Sequence, residues 1–169
     1  MYYPFQTPDF LSYRGIVREL VPVNYSASSG GCYEMVSLQT KDQGIINFIL
    51  SPDTYLSSRI PIEPGMELVG FYDSSLPVPL IYPPQFQAMI LAFPGENQQV
   101  YVGYFDHRLQ AQDGSLRLNP GPNTEILTEN GQIFQGTLGN RLLLVFYSIT
   151  TRSIPPQTPP EKIIVMCSL

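Results

Sequence analysis

The chain has 169 residues, a formal net charge of −5, 43% hydrophobic residues and only 14% charged ones. That length holds one domain or two small ones, and the charged fraction is well below the roughly 25% of ordinary soluble domains. Two lysines and seven scattered arginines give nothing that attracts a phosphate backbone over a distance, which argues against a nucleic-acid partner.

The elements read in order as follows. Met1 to Leu11 is aromatic and broken by prolines, which remove donors and force their neighbours to be extended. We expect a strap rather than a helix. Tyr13 to Val23 carries strand residues, with Gly15 as the expected bulge or bend. Asn24 to Gly31 is loop. Cys32 to Thr40 and Ile45 to Leu50 flank the turn Lys41-Asp42-Gln43-Gly44 and form a hairpin. Ser51-Pro52-Asp53-Thr54 has a capping serine and a proline at the first helical position, so a helix of at most two turns is expected before Pro61. Met66 to Tyr72 is a strand, a proline-rich crossing follows, and Phe86 to Phe93 is the next strand.

Pro94 to Gln98 is a turn-rich link. Beyond it, Val100 to Phe105 is a strand, and Asp113-Gly114 and Asn130-Gly131 each mark a two-residue hairpin turn. Leu142 to Tyr147 and Lys162 to Met166 are the last strands. No apolar residues recur at helical spacing over more than two turns.

The chain repeats itself. Phe71-Tyr72 recurs as Phe146-Tyr147, an offset of 75 (146 − 71). Ser51-Pro52-Asp53-Thr54 recurs as Gly121-Pro122-Asn123-Thr124, an offset of 70 (124 − 54). Pro83-Pro84 is matched to Pro159-Pro160, an offset of 76 (159 − 83). A duplicated unit follows. Three strands, a short helix and two strands is the order of a five-stranded Greek-key OB barrel. The expected fold class is therefore all-β, with two tandem OB-like barrels related by pseudo-symmetry. Residues 1–94 form the first unit with its strap, and residues 95–169 the second.

With these blocks in view, the chain resembles an uncharacterised group of small bacterial, firmicute β-proteins with tandem OB-like units. The resemblance rests on N-F-I-L-S-P-D-T-Y (47–55), G-F-Y-D with P-V-P-L-I-Y-P-P (70–84) and T-T-R-S-I-P-P-Q-T-P-P (150–160). It implies that the whole chain is a unit. It implies no activity and transfers no catalytic residue.

Catalytic chemistry has little to stand on. The single histidine, His107, follows Asp106 directly, and adjacent strand residues point to opposite faces. Neither His-x-His nor Cys-x-x-Cys spacing appears, so no metal and no cofactor is expected. Among the acids, Asp53 and Asp73 lie inside repeated blocks, but their counterparts Asn123 and Ser148 lack a carboxylate; turn capping explains them. Cys32 and Cys167 are too few for a disulfide framework and read as small buried apolar side chains. No apolar run approaches the roughly 20 residues that span a bilayer. With Met1 as the native start, the expectation is a cytoplasmic protein without membrane contact.

The two crossings remain. Prolines at 77, 79, 83 and 84, and at 155, 156, 159 and 160, cannot donate to a sheet ladder. They carry the chain across an end of each unit and would leave Tyr72, Tyr82, Tyr147 and Arg152, with Asp73, near one rim. These five are the candidate binding residues. The expectation is a non-catalytic binding or scaffold module whose partner is a protein or another copy of itself. Its rivals are a carbohydrate-binding module, a single-stranded nucleic-acid-binding OB-fold and an enzyme of unrecognised type.

Overall fold

The computed structural model describes residues 8–26, 28 and 30–169. Most of the expected N-terminal strap, and Ala27 and Ser29 of the following loop, lie outside the described residues. The chain divides into two compact units, Met1–Phe93 and Pro94–Leu169.

The first unit is one seven-stranded sheet. Its strands are β1 (Phe10–Val23), β2 (Tyr33–Thr40), β3 (Ile45–Leu50), β4 (Tyr55–Leu56), β5 (Glu67–Asp73), β6 (Gln85–Gln87) and β7 (Ile90–Ala92), and their spatial order is β4-β7-β5-β1-β2-β3-β6. All neighbours are antiparallel except β4 with β7 and β3 with β6, which are parallel. The expected barrel is not formed, because the sheet stays open. Its edges β4 and β6 are two and three residues long, too short for a closing ladder.

Two glycines set the geometry of this sheet. A Cβ on Gly15 would stand 2.6 Å from the Gln39 carbonyl oxygen, so the close approach of β1 to β2 requires the missing side chain. The bulge itself falls between Val17 and Glu19, beyond Gly15. A Cβ on Gly70 would stand 2.5 Å from the Phe48 ring, so Gly70 is the recess into which that ring packs. The core is Val36, Leu38, Ile46, Phe48, Leu68 and Leu91, with Tyr72 and Phe86.

The expected helix at Ser51–Thr54 is a turn. The Asp53 N–H donates to the Ser51 hydroxyl at 3.2 Å, and the Ser51 N–H to the Thr54 hydroxyl at 3.0 Å. The Thr54 hydroxyl donates in turn to the Ala88 carbonyl at 2.7 Å. These side-chain bonds compete with helix formation and draw the chain directly into β4.

The second unit contains β8 (Gln99–Phe105), β9 (Arg117–Leu118), β10 (Glu125–Thr128), β11 (Arg141–Tyr147), β12 (Gln157–Thr158) and β13 (Lys162–Val165). A four-stranded sheet runs β10-β13-β11-β8, and β12 pairs with β9 in a small parallel sheet. Single bridges Phe105↔Ala111 and Gln110↔Arg117 run beside β8 and β9. Turns form at both expected places, but with longer loops than the two-residue turns expected: the Ala111 N–H donates to Leu116 O at 2.8 Å across four residues and the Thr128 N–H to Gln132 O at 2.8 Å across three. Only the glycine of each pair takes a positive φ, 75° at Gly114 and 83° at Gly131, whereas a two-residue Asp-Gly or Asn-Gly turn needs it at both central residues. The core is Phe105, Leu116, Leu118, Leu143, Val145 and Ile163.

Candidate functional site

Of the five residues expected at one rim, Tyr72, Asp73 and Tyr82 belong to the first unit and Tyr147 and Arg152 to the second. Tyr72 is only 8% exposed and belongs to the core. Its ring stacks on Phe86 at 4.0 Å and lies parallel to Tyr13 at 6.0 Å. Burial first, and the Tyr13 hydroxyl beside it, push its ionisation above the ordinary range. Tyr72 is expected at a rim, but β5 is buried on both faces, so no solvent side is left for it.

Asp73 ends β5 and holds the start of the crossing. Its Oδ1 accepts the Ser75 hydroxyl at 2.6 Å, the Ser75 N–H at 3.0 Å and the Asp9 N–H at 3.3 Å. Partial burial pushes its carboxyl up, and these donors more than offset that, so it titrates below its ordinary value. This is a turn cap.

Tyr147 ends β11, is half-buried against the second unit's core, and is shifted upward by that burial. Arg152 is exposed in the second crossing. Tyr82 is 85% exposed in the first crossing, and its hydroxyl lies 3.8 Å from the Cβ position of Gly44 in the β2–β3 turn. Of the five, Tyr82 and Arg152 are thus presented to solvent, one in each unit.

Around Tyr82 the structure shows what the rim reading missed. Leu76, Val78, Leu80 and Ile81 are exposed together with it, and Leu80 is 101% exposed. Exposed apolar residues scattered singly are ordinary, but five within seven positions are not. A signal for them stands in the sequence: Ser74 to Gly95 contains no charged residue at all. The chain is fixed at both ends of this loop, by the Asp73 bonds on one side and by the Asn47 N–H to Pro84 O bond of 2.9 Å on the other. The Tyr82–Pro83 peptide is cis, as is Ile154–Pro155 in the second crossing. In that crossing Ile149 and Ile154 are exposed as well.

Two concave sites belong to the first unit. A cleft of about 450 Å³ contains Arg14, Gly15, Thr40, Lys41 and Glu67. Within it Arg14 Nε donates to Glu67 Oε1 at 2.7 Å, so the carboxylate is held by a guanidinium. A groove of about 340 Å³ is lined by Leu20, Leu50, Leu56, Ile60 and Ile62, with Glu34 and Arg59 the charged groups in its lining.

Asp106, before His107, accepts the Arg108 N–H at 2.8 Å and the Gln110 N–H at 3.0 Å. These bonds, led by that of Gln110, lower its ionisation and make it a turn cap. Tyr101 is pushed up to about 12 by burial, with the Ser115 hydroxyl opposing and the Asp113 carboxylate reinforcing the shift. Asp113 itself accepts the Ser115 hydroxyl at 2.6 Å and closes the hairpin. Among the described residues no group of three His, Cys, Asp or Glu side chains is placed to hold a metal ion. Both cysteines are exposed, contrary to the expectation of burial: Cys32 follows the 30–31 turn and Cys167 lies beyond the last strand. Among the described residues no helix is long and apolar enough to cross a membrane. Compared with known protein families, with curated proteins and with solved structures, the chain shows no match.

Proposed function

We propose that this protein is a non-catalytic binding module whose docking element is the first proline-rich crossing, Leu76–Tyr82, and whose partner is a protein. The observation that carries the reading is the presentation of Leu76, Val78, Leu80, Ile81 and Tyr82 to solvent on an uncharged loop anchored at both ends. Covering an aliphatic or aromatic side chain contributes about 1.5–3 kcal/mol. Association itself costs about 4–15 kcal/mol, so this loop binds only when most of the five are covered at once. Prolines at 77, 79, 83 and 84 restrict the free loop, which lowers the entropy lost on docking.

The second part of the reading is that the two units are copies of one pseudo-symmetric fold. Its support is a shared order of pairings. The parallel pair β4/β7 corresponds to β10/β13, and the antiparallel pairs β5/β7 and β1/β5 correspond to β11/β13 and β8/β11. The parallel pair β3/β6 corresponds to β9/β12. Thr124 repeats the clasp of Thr54, donating to Pro160 O at 2.7 Å and accepting the Gly121 N–H at 3.0 Å. Asn47 N–H to Pro84 O and Arg117 N–H to Pro156 O, both 2.9 Å, are the same bond. The counterpart of Pro84 is then Pro156, an offset of 72 (156 − 84), in place of the Pro160 match drawn from sequence. On this alignment the exposed Tyr82 corresponds to the exposed Ile154. The second crossing is the more polar version, with Thr150, Thr151, Arg152 and Ser153 around Ile154.

The test is a photo-crosslinking residue placed at position 80 of the full chain, with one at exposed Gln135 as control. The reading expects polypeptide adducts of defined mass at position 80 only, competed by unlabelled protein but not by L80E/I81E. Equal adducts at both positions, or adducts that wild-type protein fails to compete, would overturn it.

A further inference from the structure

We infer that the partner of the crossing is a second copy of this chain, and that the crossing of one copy seats in the Leu20–Leu50–Leu56–Ile60–Ile62 groove of the next. The inference rests on the crossing being a docking element, as proposed above. It adds the occupant, and it makes the contact head-to-tail.

Both halves of such a contact are present on the first unit and lie at opposite ends of one sheet. The crossing leaves β5 at Asp73 and enters β6 beside the start of β3: Asn47 N–H is bonded to Pro84 O, and Tyr82 lies by Gly44 in the β2–β3 turn. The groove sits at the other end of β3. It contains Leu50, the last residue of β3, and Glu34, whose strand partner is Leu50. Leu50 is six positions on from Gly44, about 20 Å along a strand at about 3.3 Å per residue. The crossing is fixed at both ends, so a chain cannot fill its own groove. A neighbour can, and a contact between different patches is heterologous: it closes into a ring or propagates.

The chemistry of the two surfaces agrees. The crossing carries no charge from Ser74 to Pro84. The groove is lined mainly by aliphatic side chains, and Ile60 is itself 51% exposed. Glu34 and Arg59, the charged groups of the lining, gain no partner from an uncharged crossing, so the contact keeps their charged ends in water at the edge of the groove. A chain with 14% charged residues also repels its own copies weakly.

The experiment is sedimentation velocity of the full chain with two variants, L80E/I81E and I60E. All three substituted residues are exposed, and each variant is first matched to wild type in melting temperature. If the doubly charged crossing precipitates, L80Q/I81Q replaces it. Wild type is expected to associate with rising concentration, and each variant alone to sediment as a monomer with association weakened at least tenfold. An equimolar mixture of the two variants is expected to form dimers and stop there, because it retains one intact crossing and one intact groove per pair. Monomeric wild type at every concentration, association of either variant alone, or a mixture that stays monomeric would overturn the inference. In those cases a crosslink from position 80 to a different polypeptide would leave the docking reading standing, whereas the absence of any specific crosslink would remove both.

Discussion

Replacing Tyr72 by alanine tests the corrected side of β5. The ring is almost fully covered, stacks on Phe86 at 4.0 Å, and adjoins Tyr13 at 6.0 Å and Phe48 at 6.4 Å. Removing a large buried aromatic ring costs about 3–5 kcal/mol, as transfer free energy plus the cavity left behind. Stacked pairs add about 0.5–1.5 kcal/mol beyond area, and these terms overlap rather than sum, so about 4 kcal/mol is expected. That is a large part of the roughly 5–15 kcal/mol available to a domain. Tyr147 is half-buried and has no stacked ring partner among the described residues, so Tyr147→Ala should cost about half as much. Tyr72→Phe, which keeps the ring, should stay within about 1 kcal/mol of wild type. Urea unfolding followed by near-ultraviolet circular dichroism measures all three. A Tyr72→Ala variant within about 1 kcal/mol of wild type, or one less perturbed than Tyr147→Ala, would refute the placement of this ring in the core.

Gly70→Ala should cost about 1–3 kcal/mol by overpacking, since its Cβ would lie 2.5 Å from the Phe48 ring; a thermal melt unchanged from wild type would contradict that contact. Tyr101 in the fold ionises at about 12, above its ordinary 10.0. Its contribution to stability is therefore complete below pH 10 and is lost as pH rises toward 12, and Tyr101→Phe should flatten that alkaline loss in pH-dependent melts. Asp73 titrates below its ordinary value, so its contribution is present above about pH 4 and is lost on further acidification. Asp73→Asn should destabilise by about 1 kcal/mol at neutral pH and lose that difference in acid. Cys32 and Cys167 are exposed, so both thiols should react with an aromatic disulfide reagent without denaturant; reaction of fewer than two would place one of them under cover.

What could be read in the sequence was local. The turns at Gly44, Gly114 and Gly131 were visible because only a few residues tolerate positive φ there. The strands were visible as apolar runs between those turns. What could not be read depends on partners distant in sequence. The Ser51-Pro52 pair resembles a helix start, but local side-chain bonds and the Ala88 carbonyl, 34 residues on from Thr54, hold the segment as a turn. Tyr72 reads as a rim residue only if its strand has a solvent face, which β5 lacks. Barrel closure failed for a related reason, since the lengths of β4 and β6 are set by where the ladders end rather than by composition. Of the candidate site, Tyr82 was legible because it stands among prolines with no charged neighbour. Its apolar companions Leu76, Val78, Leu80 and Ile81 were not legible as a surface, because nothing local in a sequence separates an exposed leucine from a buried one.

Docking of this chain to its own copies through an uncharged apolar loop has a distinct dependence on salt. Screening at moderate ionic strength weakens contacts between exposed charges, whereas sulfate strengthens burial of apolar surface. The concentration-dependent association of the full chain is expected to be unchanged by sodium chloride and tightened by sodium sulfate, and L80E/I81E to abolish the association under both salts. Association that dissolves as sodium chloride is added, or that survives L80E/I81E, would contradict it.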